Sequence, residues 1–196
     1  MKTETLTALT VVLLALCQTA WAQTTLPPQK IQGFDLPGAV AGLNRRSVVD
    51  YEKDQPGLGT AIHYVYPGIK GSVFIYNRGY ARIESGVDSP LATREFKAAK
   101  SDIEKAYPEA QILVAEERLT VNGVPLLHAA YKYADERAGL RDPVFSHLYV
   151  TVVRNQFLKL RVTHSIAAHP EIDYEPTTGM RLATRFVEQM IQSLTK

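Results

Sequence analysis

The stretch 112–134, ILVAEERLTVNGVPLLHAAYKYA, decides the fold. Asn122-Gly123 at its centre is the residue pair that most readily takes the positive backbone angles of a two-residue hairpin turn. The arms then become Ile112–Val121 and Val124–Ala134, paired antiparallel. On the return arm Leu127, Ala129, Tyr131 and Tyr133 share one face, opposite His128, Ala130 and Lys132, and that alternation is the period of a strand.

Downstream, Val144–Val153 and Phe157–Ser165 form a further hairpin through Arg154-Asn155-Gln156. Leu158, Leu160 and Val162 point inward and Lys159, Arg161 and Thr163 outward, so one face of that strand is predicted to meet water. Upstream, Ser89 caps and Pro90 opens a helix whose apolar positions Phe96, Ala99, Ile103 and Ala106 recur every three or four residues, until Tyr107-Pro108 ends it.

Farther upstream, Thr60–Tyr66 alternates, and Gly71–Asn77 (GSVFIYN) resumes after Pro67-Gly68. Both faces of GSVFIYN are apolar, which predicts an interior strand covered on both sides. Val48–Glu52 is a shorter strand candidate, and 33–42 is a loop or short strand whose Phe34 and Leu36 tuck onto the core as a lid. Near the C-terminal end, Thr178–Leu194 carries the broad apolar stripe of a second amphipathic helix. The expected class is α+β, a largely antiparallel sheet with two amphipathic helices packed on it, and an α-β-α sandwich if they take opposite faces.

Residues 1–22 read as an export signal. Leu6–Leu16 is an apolar run too short to span a bilayer, and Ala20-Trp21-Ala22 precedes a cleavage between Ala22 and Gln23. Residues 23–32, with Pro27-Pro28, read as a flexible leader, and 33–196 as a single globular domain long enough to bury its own core. The predicted location is periplasmic or secreted. Cys17 is the only cysteine and lies inside the signal, so the mature domain has neither disulfide nor thiolate metal site. A lipid anchor at Cys17 is not expected, because Leu16 is larger than the small residue that lipoprotein processing usually wants at that place.

A net charge of +2, with Arg45-Arg46 the only adjacent basic pair outside any cluster, leaves no electrostatic footprint for nucleic acid, and the pair itself reads as solvated. No later apolar run reaches the ~20 residues of a spanning helix. G-x-G-x-x-G and G-x-x-x-x-G-K-[ST] are both absent, so no nucleotide site and no cofactor are expected.

Of five histidines, only His164 and His169 are near neighbours in the chain, followed by Glu171, Asp173 and Glu175. Imidazole and carboxylate together are the ligand types of a divalent metal site. The spacing opposes a preformed one, since His164 ends a strand and His169 starts a loop. His63, His128 and His147 fall within strands and read as partly buried, hydrogen-bonded side chains. Ser146-His147 and His164-Ser165 are strand neighbours aimed at opposite faces, and no G-x-S-x-G elbow exists. Among ten tyrosines, Tyr64, Tyr66, Tyr131 and Tyr133 are the candidate ligand-binding set, because each offers an apolar ring with a polar tip. The same residues are also the ordinary filling of a sheet face under a helix.

The element order over residues 34–194, strands, helix, two hairpins, helix, resembles the α-β-α sandwich of the PsbP and Mog1-like proteins. That resemblance implies an accessory or partner-binding role and carries no shared catalytic set. The expected function is an exported, non-catalytic binding or accessory module for a protein partner or small ligand. The alternatives are a small hydrolase or metal-dependent enzyme using His164, His169 and nearby carboxylates, and a secreted inhibitor of another protein.

Overall fold

The computed structural model describes residues 26–134 and 142–196. The expected export signal, Cys17, the expected cleavage point between Ala22 and Gln23, and most of the charged loop after Ala134 lie outside the described residues. The strands are β1 (Gln29–Ile31), β2 (Phe34–Leu36), β3 (Ala39–Val40), β4 (Leu43–Asp50), β5 (Thr60–Tyr66), β6 (Ile69–Tyr76), β7 (Gln111–Val121), β8 (Val124–Ala134), β9 (Pro143–Val153) and β10 (Gln156–Ser165). Helix α1 spans Pro90–Ala106 and α2 spans Pro176–Leu194. The protein is α+β: β3 to β10 make one antiparallel eight-stranded sheet in the order β3-β4-β5-β6-β10-β9-β8-β7, beside a small β1-β2 hairpin. No helix among the described residues is long and apolar enough to cross a membrane.

Local chemistry accounts for the boundaries. Asn122 and Gly123 adopt φ of 50° and 79°, the left-handed turn the pair suits, and join β7 to β8. Ser89 Oγ accepts a hydrogen bond from the Ala92 amide at 3.1 Å, with Pro90 in the first turn of α1. The stretch 23–32, expected as a leader, carries β1 near its end, where Ile31 joins the core. Phe34 and Leu36, on the β2 arm of that hairpin, are fully buried and join the same core.

Two expectations are corrected. Arg45 is buried rather than solvated: Arg46 is the extra residue of a β-bulge, so Arg45 and Val48 both face the side of Tyr64 and Ile62. The Arg45 guanidinium donates to the carbonyls of Leu36 at 3.2 Å and Pro27 at 2.8 Å, clasping the N-terminal segment to the sheet. The second correction concerns GSVFIYN. β6 is interior, between β5 and β10, and α2 roofs its Val73 and Ile75 face, but on the other face α1 covers only the Tyr76 end, where Tyr76 packs by Ala92 and bonds Glu95, and Lys70 is exposed.

The two helices take opposite faces and opposite halves. Phe186, Val187, Met190 and Ile191 of α2 pack on Val73, Ile75, Leu158, Leu160 and Val162, over β6 and β10. Phe96, Ala99 and Ile103 of α1 pack on Leu127, Ala129, Leu148 and Val150, over β8 and β9. Leu160 is paired with Tyr149, the neighbour of Leu148, so these clusters lie on opposite faces of one sheet. Each face is therefore half roofed and half open.

Candidate functional site

On the α1 face, strand register places His63 opposite Ser72, Ser72 opposite Arg161, and Arg161 opposite Leu148. A parallel row runs Val65, Lys70, Thr163, Ser146, and another Ala61, Phe74, Lys159, Val150. At the β8–β9 end Leu148 and Val150 lie under α1, while the β5–β6–β10 end carries Lys70, Ser72, Lys159, Arg161 and Thr163. That second half floors a cleft of about 360 Å³, with Lys70, Ser72, Phe74 and Arg161 beneath it and Tyr107 and Tyr133 at its side.

Arg161 is held in place from below and beside. Its Nε donates to Ser146 Oγ at 3.1 Å and its Nη2 to Tyr133 Oη at 2.6 Å. The guanidinium carbon lies 5.6 Å from the Tyr107 ring centre and 5.9 Å from that of Tyr133, and the two rings stack at 3.9 Å. Lys159 Nζ sits 4.4 Å from the Phe74 ring, and burial lowers its pKa against the opposing pull of Glu95. The ion pairs among the described residues include none of Lys70, Lys159 and Arg161. His63 Nδ1 meets Ser72 Oγ at 2.9 Å, and burial, helped by Lys70, lowers its pKa.

The open half of the α2 face holds the other concentration of chemistry. His128, His147 and His164 step diagonally across β8, β9 and β10 with nearly parallel rings, centres 5.4 Å and 6.0 Å apart. Glu117 Oε1 accepts from His128 Nδ1 at 2.7 Å, and His128 Nε2 lies 3.1 Å from His147 Nδ1. Burial lowers the pKa of all three, that of His147 to about 4.

Such imidazoles bind protons more readily in the unfolded chain than in the folded one. Stability is therefore full above the ordinary value of 6.5 and falls as the pH drops below it, levelling for His147 only near pH 4. His147 alone is expected to remove about 2–3 kcal/mol across that window, allowing for its partial exposure. Urea unfolding at pH 7.0, 6.0 and 5.0 with a chelator present checks this, and an unchanged midpoint over that range contradicts it.

The four tyrosines named from the sequence do not form one site. Tyr64 is fully buried on the α2 face, edge-on to Phe186 at 5.5 Å, and donates to the Pro37 carbonyl at 3.0 Å. Tyr131 is buried under α1 and donates to Glu104 at 3.3 Å. Tyr66 and Tyr133 both line the cleft. His164 and His169 are likewise divided. His164 joins the histidine diagonal, whereas His169 meets Ser165 Oγ at 2.9 Å and Glu171 at 3.2 Å in the loop before α2. Asp173 turns the chain there with φ of 51°. No group of three or more His, Cys, Asp or Glu among the described residues is placed to hold a metal ion. The Ser165–His169–Glu171 line has the order of a hydrolytic triad, yet Ser165 is 1% exposed and its Oγ also bonds the amide and carbonyl of Ala167, as a turn-forming serine does.

Sequence reasoning found Arg161, Thr163 and Lys159 as an outward face but not their grouping with Lys70, Ser72 and Tyr107. The histidine diagonal was missed, because its members come from three strands.

No family model matches the chain, and no curated protein matches it. A solved structure with a similar arrangement is a protein of unknown function from Pseudomonas aeruginosa with a suggested role as a regulator. It is 13% identical, over 86% of this chain and 95% of that one, with a TM-score of 0.40.

Proposed function

We propose that the protein is a non-catalytic binding module whose ligand seat is the cleft floored by β5, β6 and β10. Its ligand is a small molecule, or a side chain of a partner, that joins an anionic group to a flat apolar body. The observation that carries this reading is Arg161, fixed by Ser146 and Tyr133 in a cleft of ligand size with no carboxylate paired to it among the described residues. A planar guanidinium already held in position loses little freedom on meeting a carboxylate or phosphate, and its charge-assisted bonds are the strong ones. The stacked Tyr107–Tyr133 pair gives the apolar part of such a ligand a rigid wall. Together with the signal-like residues 1–22, this supports an accessory or capture role outside the cytoplasm.

Phenyl phosphate, benzoate and neutral benzamide, titrated into ¹⁵N-labelled protein, distinguish the parts of the proposal. The two anions are expected to shift the amides of Lys70, Ser72, Arg161 and Thr163, and benzamide much less. Arg161→Gln is expected to weaken phenyl phosphate by about tenfold or more. Equal binding of benzamide removes the anionic reading, and shifts confined to other surfaces remove the cleft.

A further inference from the structure

The inner pair of the histidine diagonal has a fixed arrangement of protons. Glu117 is a carboxylate acceptor, so His128 Nδ1 carries the hydrogen between them. The neutral His128 ring then offers a lone pair at Nε2, and His147 Nδ1 must donate to it. The His147 lone pair is thereby at Nε2. On the neighbouring strand, His164 Nδ1 lies 3.1 Å from the Ser165 carbonyl, which only accepts, so that nitrogen carries the hydrogen and the second lone pair is at His164 Nε2. Tyr174 Oη agrees, since it donates to the same carbonyl at 3.2 Å and lies 3.5 Å from His164 Nδ1.

Both Nε2 atoms are buried and have no hydrogen-bond partner among the described residues. His164 is 1% exposed. The rings are within 6° of parallel, with centres 6.0 Å apart. Bonds of about 2.0 Å from two imidazole nitrogens to one shared ion set the ring centres about 6 Å apart. Each ring also has the outer support of a metal-bound histidine, which gives its second N–H to a carboxylate or a backbone carbonyl. His164 uses the Ser165 carbonyl, and His147 reaches the Glu117 carboxylate through His128.

We propose that His147 Nε2 and His164 Nε2 form a two-coordinate site for a monovalent soft cation, copper(I) above all. Imidazole suits copper, and linear two-nitrogen coordination suits its filled-shell monovalent ion. A buried pair of neutral ligands also favours single over double charge, because the cost of removing an ion from water rises steeply with its charge. Zinc, which takes four ligands in structural sites, finds no group of three or more candidate side chains placed for it among the described residues. Glu117, at the outer end of the relay, supplies the compensating negative charge. This site differs from the loop cluster of His169, Glu171 and Asp173, and it uses none of Lys70, Ser72, Tyr107 and Arg161, which carry the cleft reading; His164 alone also borders that cleft.

The test is competition for copper(I) between the purified protein and the chromophoric chelator bicinchoninate, anaerobically with ascorbate. The protein is expected to withdraw one equivalent that His147→Phe does not withdraw. Glu117→Gln, on an exposed strand, is expected to weaken uptake by about tenfold to a hundredfold. X-ray absorption should show two nitrogen neighbours. Imidazole ¹⁵N spectra of the metal-free protein should show both Nε2 atoms unprotonated. A protonated Nε2 on either ring overturns the proposal, as does copper uptake unchanged in His147→Phe. Zinc(II) displacing the copper at equal concentration overturns the monovalent assignment. Should His147→Phe fail to fold, the Glu117→Gln titration and the ¹⁵N spectrum decide between the same outcomes.

Discussion

Replacing Phe186 with alanine is expected to lower the stability of the protein by about 3–5 kcal/mol, the largest loss of any single core truncation here. Phe186 is fully buried at the centre of the α2 face, edge-on to Tyr64. It rests directly on the backbone of β6: a Cβ built on Gly71 would come within 2.5 Å of the ring. Strand and helix therefore meet at a contact where the glycine leaves room for the ring and the ring fills what the glycine leaves. Gly71→Ala should destabilise the wild type, yet cost far less in the Phe186→Leu background, where the smaller side chain yields space. Denaturant unfolding of the two single variants and the double variant reads this coupling. Strict additivity would show that the ring and the glycine do not share the contact.

Glu95→Ala is expected to cost about 3 kcal/mol, towards the lower end for breaking a buried ion pair. Glu95 is 8% exposed at its side chain and carries three bonds: from Tyr76 Oη at 2.7 Å, Arg78 Nη2 at 2.9 Å and Arg78 Nε at 3.2 Å. Removal leaves a buried phenol and a guanidinium without their acceptor. Arg78 is 36% exposed, so water can recover part of its loss, and this keeps the figure from going higher. Glu95→Gln preserves an acceptor for Tyr76 and should cost about 1–2 kcal/mol. Thermal and urea unfolding that place the alanine variant within about 0.5 kcal/mol of wild type would show that the cluster contributes nothing net.

The hairpins and the helix ends were legible because their causes are local. Asn122-Gly123 specifies its turn whatever surrounds it, and Ser89-Pro90 marks a helix start without outside help. The outward series Lys159, Arg161, Thr163 was legible for the same reason, since alternation along one strand shows which residues share a face. What they share it with depends on strand order. β10 pairs with β6 across an intervening helix and three strands, and only that pairing brings Ser72 and Lys70 beside Arg161. The lateral position of α1 is likewise set by packing, and it turns one end of the basic face into a cleft walled by Tyr107. Arg45 was misread because a bulge changes which residues fall inward, and nothing in the local pattern signals the bulge. The histidine diagonal needed the register of β8 on β9 and of β9 on β10 at once.

The staggered helices give β9 and β10 a double duty that works like type set on both sides of one sheet of paper. Ser146 and His147, Arg161 and Val162, and Thr163 and His164 are printed back to back, the odd or even member belonging to a different surface. Slipping β10 by one residue would put lysine and arginine beneath α2 and bring leucines up into the cleft, and slipping β9 would exchange Ser146 and His147 between the two faces, so either slip disrupts both sites in a single step. Few positions in this half of the sheet are free to change for the sake of one surface alone, so insertions should be confined to the turns at its ends.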